Sequence, residues 1–168
     1  MTDPPAFTLR PAEPADAPAI LQLIRGLAEY EKLLDSCVIS EAQLREQLFS
    51  AQPAAEAWVA QVAPQRIVGF ALFFTTFSTF LGTRGLYLED LFVVPEARGQ
   101  GVGRALMLRL ARIAMERGYG RFEWSVLDWN EPAIGFYKQL GASVLPDWRR
   151  CRLAGEELMH VANLDSSY

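Results

Sequence analysis

The chain has 168 residues, of which 51% are hydrophobic and 21% charged, and its net charge is −4. This composition is that of one globular domain over residues 1–168, with residues 1–6 expected as an N-terminal tail. No apolar run approaches the roughly 20 residues of a membrane span, and no basic stripe favours nucleic acid. The N-terminus lacks the basic and apolar segments of a signal peptide. We therefore expect a cytoplasmic protein with neither a membrane nor a nucleic-acid partner.

Cysteine usage points to the same compartment. Cys37 and Cys151 are the two cysteines of the sequence. Two are too few for a disulfide framework or a cysteine-based zinc site. We expect two free thiols, buried as small apolar residues, and no metal.

The first fifty residues predict a short strand and two helices. Residues 7–10 have the character of a strand. Asp16 is placed to cap a helix, and apolar side chains at helical spacing predict that helix over residues 17–34. Ser40-Glu-Ala-Gln43 has the spacing of a capping box and predicts a second helix that ends near residue 49.

Two antiparallel strands are predicted next, at residues 57–62 and 67–76, with a turn at Pro64-Gln65 between them. The second strand is apolar almost throughout, so both of its faces are expected to be covered.

A third long strand, residues 85–94, carries Glu89 and Asp90 at its middle. An unpaired carboxylate is costly to bury there. Strict alternation would point the two acids to opposite faces, so at most one would face a given site. A structural role as an edge or bulge position, or as the partner of an arginine, stays open for both.

Glycines recur at positions 99, 101 and 103, directly after the apolar run stops at Pro95 and before a predicted helix that ends at Gly118. Glycines spaced in this way let backbone N–H groups approach a ligand. The first turn of the helix adds unpaired N–H groups and the positive end of its dipole. The pattern predicts a phosphate or pyrophosphate site. It fits neither a Rossmann fingerprint, which follows the first strand, nor a P-loop, which needs a Gly-Lys pair.

The last third of the chain predicts a strand at residues 121–127 and a short helix capped by Asn130. A crossover helix between two strands predicts that residues 86–94 and 121–127 run parallel. Residues 148–153 and 157–162 are predicted to form a closing β-hairpin.

The glycine loop resembles the acyl-CoA loop, R-x-x-G-x-G/A, of the GNAT superfamily of N-acetyltransferases. The resemblance covers residues 7–163 and is closest to the spermidine/spermine (diamine) branch, which includes thialysine acetyltransferases. It implies an α/β (α+β) fold with a mixed, mostly antiparallel sheet, a parallel pair at the CoA-binding split and flanking helices. The motifs that carry it are Arg98, Gly101 and Gly103, Tyr87–Asp90, Trp129–Lys138, Ala28–Glu31 and Ile67–Ala71.

The resemblance implies acetyl-CoA as cosubstrate. Strand backbone groups would hold the acetyl and pantetheine end, loop N–H groups the pyrophosphate, and the Asn130 region the pantetheine arm. The implied cofactor-binding residues are Leu91, Phe92, Val93, Arg98, Gly99, Gln100, Gly101, Val102, Gly103, Arg104, Asn130, Glu131, Pro132 and Ala133.

The resemblance also implies that Tyr137 protonates the departing thiolate, and that Tyr30, Glu31 and Glu89 line the amine pocket. A primary amine with a pKa of about 10.4 arrives protonated, so Glu89 is expected to bind the cation and to take its proton, directly or through water. In the family branch a longer acidic loop follows Gly141-Ala142. Here Asp147 is its single acid and takes that substrate-binding position.

The resemblance therefore implies acetyl transfer to a small polyamine, diamine or thialysine-like amine, by direct attack in a ternary complex. A protein or aminoglycoside N-acetyltransferase, and a non-catalytic acyl-CoA-binding module, stay open as alternatives. The resemblance also implies a homodimer.

Overall fold

The computed structural model describes residues 7–64 and 66–164, which fall into two compact units, one ending at Ser125 and the other beginning at Val126. The strands of the first unit are β1 (Thr8–Pro11), β2 (Glu56–Ala63), β3 (Arg66–Ser78), β4 (Thr83–Val93) and β5 (Arg121–Trp124). Its helices are α1 (Ala17–Tyr30), α2 (Glu41–Phe49) and α3 (Val102–Glu116). The second unit contains α4 (Glu131–Gln139) and α5 (Gly155–Ala162). The expected single domain stays a prediction.

The strands form one sheet in the order β1-β2-β3-β4-β5. Neighbours from β1 to β4 are antiparallel, and β4 and β5 are parallel over Gly85–Leu88 and Arg121–Trp124. The predicted mixed, mostly antiparallel sheet with one parallel pair is confirmed. Gln65, half of the predicted turn between β2 and β3, lies outside the described residues.

Helices cover both faces of the sheet. On one face, α1 and α2 bury a core whose members include Ile20, Leu44, Val59, Phe70 and Phe92. A Cβ on Gly26 of α1 would lie 2.9 Å from the Phe92 ring, so this helix packs directly on the end of β4. On the other face, a Cβ on Gly69 would lie 3.1 Å from Val102 at the start of α3.

The apolar stripe of α3 faces the sheet. Its buried residues are Val102, Leu106, Met107, Leu110, Ile113 and Ala114. The end of β4 is therefore held between α1 and the first turn of α3.

Helix α1 ends earlier than predicted, at Tyr30 rather than at residue 34. Lys32 adopts a left-handed backbone with φ +61°. The N–H of Lys32 donates to the Glu29 carbonyl at 3.0 Å and that of Leu33 to the Ala28 carbonyl at 2.7 Å. These are the two hydrogen bonds of a Schellman motif, in which glycine usually occupies the left-handed position. Because lysine occupies it here, the residue type carries no signal that the helix stops.

The predicted capping role of Asp16 is wrong, although Asp16 does precede α1. Its carboxylate accepts two hydrogen bonds from the Arg10 guanidinium, at 2.6 and 2.8 Å, and makes no side-chain cap. This bidentate pair is charge-assisted, and the Arg10 hydrogen bond lowers the pKa of Asp16. The predicted capping box of α2 is confirmed, since Ser40 Oγ accepts from the Gln43 N–H at 3.2 Å.

The prediction of a C-terminal β-hairpin is wrong. Residues 142–154 are irregular and α5 follows them, because Glu156, Glu157, Leu158, Met159 and Ala162 favour a helix over a strand. The predicted strand 121–127 is also shorter and ends at Trp124.

The two thiols are free, but the expectation that both are buried is wrong, because Cys37 is half-buried and Cys151 exposed. Within residues 7–64 and 66–164, no helix is long and apolar enough to cross a membrane.

Candidate active site

The last residues of β4 leave part of their backbone unpaired by β5. Pairing with β5 ends at Leu88 and Trp124, whereas pairing with β3 continues to Val93. The N–H of Val94 donates to the Val68 carbonyl on β3 at 2.9 Å. Antiparallel alternation then directs the N–H groups of Leu91 and Val93 away from β3.

Phe92, between them, pairs with Phe70 and buries its ring in the core. Of the three strand residues predicted to hold the acetyl end, Leu91 and Val93 therefore present outward backbone donors.

A β-bulge in β4 sets the direction of the two acids. Leu72 pairs with Asp90 and Phe73 pairs with Leu88, so Glu89 is an extra residue. Leu88 and Asp90 thus lie on opposite faces although they are two residues apart. The regular alternation assumed from the sequence is wrong here, and the alternative of a bulge position holds for Glu89. Because Leu72 packs against the core under α1, Asp90 is on the α1 face.

Three carboxylates influence one another electrostatically at this end of β4. Asp90 is half-buried, and burial, with smaller contributions from the charges of Glu89 and Glu31, raises its pKa to about 6. Burial also raises the pKa of Glu31, which caps the end of α1. Glu89 itself is exposed. Such a cluster attracts an organic cation, and a carboxylate with a pKa near 6 is able to accept a proton near neutral pH.

Asp90 is the candidate site residue that the sequence analysis does not select, since that analysis assigns the proton transfer to Glu89. Two consecutive acids in an apolar strand are a signal that one of them lies on a covered face. The sequence does not say which one, because that depends on the bulge.

Arg98 brings the start of the glycine loop, residues 98–104, against α1 and β4. Its guanidinium carbon lies 5.2 Å from the centre of the Tyr30 ring and 5.4 Å from that of Phe92. Its Nε donates to the Val93 carbonyl at 2.9 Å. Tyr30, the last residue of α1, is 37% exposed. Two predicted site residues, Tyr30 and Arg98, are thus in contact.

The glycine loop has the backbone that an anion cradle requires. Gly99 and Gly101 have φ values of +74° and +83°, and no atom lies within 4 Å of a Cβ placed on either. Gly101 caps α3, whose first-turn N–H groups have no intrahelical partner. Gln100 donates from its side chain to the Glu96 carbonyl at 3.1 Å. In the first turn of α3, Gly103 is half-buried, Arg104 exposed and Val102 buried.

The other predicted site residues belong to the second unit. Asn130 is buried, and its Oδ1 accepts from the Ala133 N–H at 3.3 Å, which confirms it as the cap of α4. Glu131 and Pro132 form the exposed first turn of that helix.

Tyr137 is half-buried on α4, with its ring 5.2 Å from that of Phe136. Asp147 is exposed in the irregular segment between α4 and α5. Their roles stay predictions, as do the ligand contacts of the first unit. In the described ranges, no three His, Cys, Asp or Glu side chains are grouped as metal ligands.

Comparison with known proteins gives a consistent result. Residues 26–142 match the model of the acetyltransferase (GNAT) family. The chain is 40% identical to thialysine N-epsilon-acetyltransferase of Sus scrofa, over 92% of this chain and 96% of that one. It is 31% identical to L-ornithine N5-acetyltransferase of Arabidopsis thaliana, over 94% and 88%. Among solved structures, an integron cassette protein from the mobile metagenome of V. cholerae superposes with a TM-score of 0.79, at 28% identity over 94% and 98%.

The raised pKa of Asp90 predicts a pH-dependent cost to stability. The unfolded chain ionises this acid near pH 3.9 and the folded protein near pH 6, so the free energy of unfolding should fall as the pH rises between these values. Two pKa units correspond to about 2–3 kcal/mol. An asparagine at position 90 cannot ionise. The free energy of unfolding of Asp90→Asn minus that of the wild type should therefore be larger at pH 8 than at pH 4 by about this amount, as measured by urea unfolding.

Glu89→Gln is the matched control, since it makes the same chemical change at the neighbouring, exposed position. Its stability relative to the wild type should change by less than about 1 kcal/mol over this pH range. An equal response of the two variants would contradict the burial of Asp90.

Proposed function

Since this chain belongs to the acetyltransferase (GNAT) family and is an N-acetyltransferase, we propose that it moves an acetyl group from acetyl-CoA to a primary amine of a small cationic substrate of the thialysine, diamine or polyamine class. The observation that carries the proposal is the acidic cluster of Glu31, Glu89 and Asp90. In this cluster, Asp90 directly precedes Leu91, the first of the two outward backbone donors of β4. Two of the relatives are named for acetyl transfer to thialysine and to ornithine. Both are short molecules that bear an amine, as the proposed substrate does.

The acidic cluster handles the charge of the amine. An ammonium group attracted by Glu31 and Glu89 meets Asp90, whose pKa is close to working pH. Asp90 then accepts the proton that the amine must lose before it attacks, directly or through water. This assignment moves the general base from Glu89 to Asp90. Glu89 keeps the role of attracting and orienting the cation.

The backbone of β4 handles the acetyl group, which acetyl-CoA supplies as an activated thioester. The N–H groups of Leu91 and Val93 are fixed by the sheet, so they are able to polarise the thioester carbonyl without reorganisation. The glycine loop with Arg104 would hold the pyrophosphate, and Asn130 to Ala133 the pantetheine arm. Tyr137 would donate its phenolic proton to the departing thiolate.

A substrate panel tests this function. With acetyl-CoA present, thialysine, ornithine, putrescine and spermidine should release free thiol at rates that differ between amines. Asp90→Asn should lower kcat by about 10²–10⁴ for the best amine, the range for loss of a general base. Thiol release that requires a protein or aminoglycoside substrate would replace the small-amine proposal, and CoA binding without turnover on any amine would contradict the reaction.

The glycine loop can be tested by adding one methyl group. Gly101→Ala should raise the Kd for CoA about tenfold or more in calorimetry, because its Cβ would project from the cradle. Gly118→Ala is the matched control: it also has a positive φ, +67°, with nothing within 4 Å of an added Cβ. Both variants should lose about 1 kcal/mol of folding stability, but Gly118→Ala should bind CoA like the wild type. Equal losses of affinity would refute a cradle at Gly101.

The proposed role of Tyr137 separates turnover from binding. Tyr137→Phe should lower kcat by about 10²–10⁴ and leave the Kd for CoA nearly unchanged, because it removes only the proton donor. Tyr119→Phe is the control; it removes a phenol that hydrogen-bonds Thr75 and should keep the wild-type kcat. If Tyr137→Phe instead lost CoA affinity, the tyrosine would be structural.

A cytoplasmic location and a homodimer remain proposals. Light scattering at micromolar concentration measures the oligomeric state, and a monomer mass would refute the dimer.

A further inference from the structure

Arg98 is fixed on several sides by groups that belong to different elements. Its guanidinium lies over the rings of Tyr30 and Phe92, and its Nε donates to the Val93 carbonyl. The structure gives its two Nη groups no hydrogen bond among the described residues. The N–H donors of the two Nη groups are therefore able to bind a ligand, and the stacks and the Nε bond already set the plane of the guanidinium.

The three elements that meet at Arg98 are the ones that build the proposed site. Tyr30 ends α1 and precedes Glu31, whose charge acts on Asp90. Val93 is one of the two strand residues whose N–H faces outward. Arg98 itself starts the glycine loop. A single guanidinium therefore contacts the end of the amine-side helix, the acetyl-side strand and the anion cradle.

From this geometry we infer that Arg98 is a positioning residue that couples the two ligand sites. An anionic group held by the loop hydrogen-bonds the Nη groups and further restrains the guanidinium that already stacks on Tyr30. Tyr30 then holds the end of α1, and with it Glu31, where a cationic amine binds. The inference rests on the proposed function and adds to it a favourable coupling between CoA and the amine.

The chemistry of arginine is needed for this coupling. A planar guanidinium stacks on aromatic faces and presents Nε and Nη donors in fixed directions, whereas the lysine ammonium is a point charge on a flexible stem. Stacking of this kind is modest at partly exposed sites, so we expect a coupling factor of about five. Thermodynamic linkage requires the factor to be the same in both directions.

Calorimetry with thialysine and free CoA tests the coupling without turnover. In the wild type, saturating CoA should lower the Kd for thialysine about fivefold, and thialysine should lower the Kd for CoA by the same factor. Arg98→Lys keeps the positive charge but loses the stack and the Nε bond, so its coupling factor should fall to about one.

Two further variants separate coupling from a general structural role. Arg112→Lys, the same change on an exposed position of α3, should keep the fivefold factor. In Tyr30→Leu the factor should already be about one, and adding Arg98→Lys should change it no further, since both act through one contact. An undiminished factor in Arg98→Lys, or additive effects in the double variant, would overturn the inference.

A second readout does not depend on the amine. CoA should slow amide hydrogen exchange of residues 26–36 in the wild type, and should not do so in Arg98→Lys at a CoA concentration that saturates the variant. If thialysine fails to bind the wild type, the substrate proposal fails while this arm still decides on Arg98. Equal protection of residues 26–36 in both proteins, or none in the wild type, overturns the coupling.

Discussion

The extra residue in β4 is the constraint on which the candidate site depends. Without the bulge at Glu89, Asp90 would share a face with Phe73, because their strands would stay in regular alternation. The bulge moves Asp90 to the face of Leu72, where α1 covers it. One inserted residue therefore brings a carboxylate into a partly dry environment beside Glu31, and leaves Glu89 exposed next to it.

This arrangement works against stability and must be held in place by the packing around it. A carboxylate with a raised pKa costs folding free energy wherever it is ionised. Apolar contacts on both sides of β4 oppose that cost. Phe92 packs under Gly26 of α1, and Val102 of α3 approaches Gly69 on the opposite face. A bound ammonium group would remove much of the penalty, so the same carboxylate that weakens the free protein would strengthen binding.

Much of the fold follows from local rules in the sequence. Ser40 with Gln43 and Asn130 with Ala133 form the predicted caps, and the apolar stripe of α3 is the buried one. The parallel pairing of β4 with β5 follows from the helix between them. Turn chemistry and periodicity are local, which is why they can be read without the tertiary structure.

Features that depend on tertiary packing could not be predicted. Lysine at the left-handed position 32 does not mark the end of a helix, so periodicity alone predicts that α1 continues to residue 34. Asp16 looked like a cap because its partner, Arg10, lies on another element. The direction of Asp90 depends on how β3 and β4 align, which periodicity within β4 does not encode. Within residues 126–164, Asn130 is the one buried residue. The segment after residue 141 therefore has no stripe of buried side chains whose spacing would distinguish a strand from a helix.

The spacing of residues along β4 also bears on whether the amine attacks the thioester directly. Asp90 and Val93 are three residues apart, which is about 10 Å in an extended strand, and Leu91 is adjacent to Asp90. An amine held by the Asp90 carboxylate would thus lie beside a thioester carbonyl held by the Leu91 N–H, on one rigid element. That placement suits direct attack, since proximity on a fixed frame replaces the entropy cost of bringing two reactants together. A covalent intermediate on a thiol or hydroxyl group would require such a side chain at the same point, and the residues of β4 from Glu89 to Val93 carry neither.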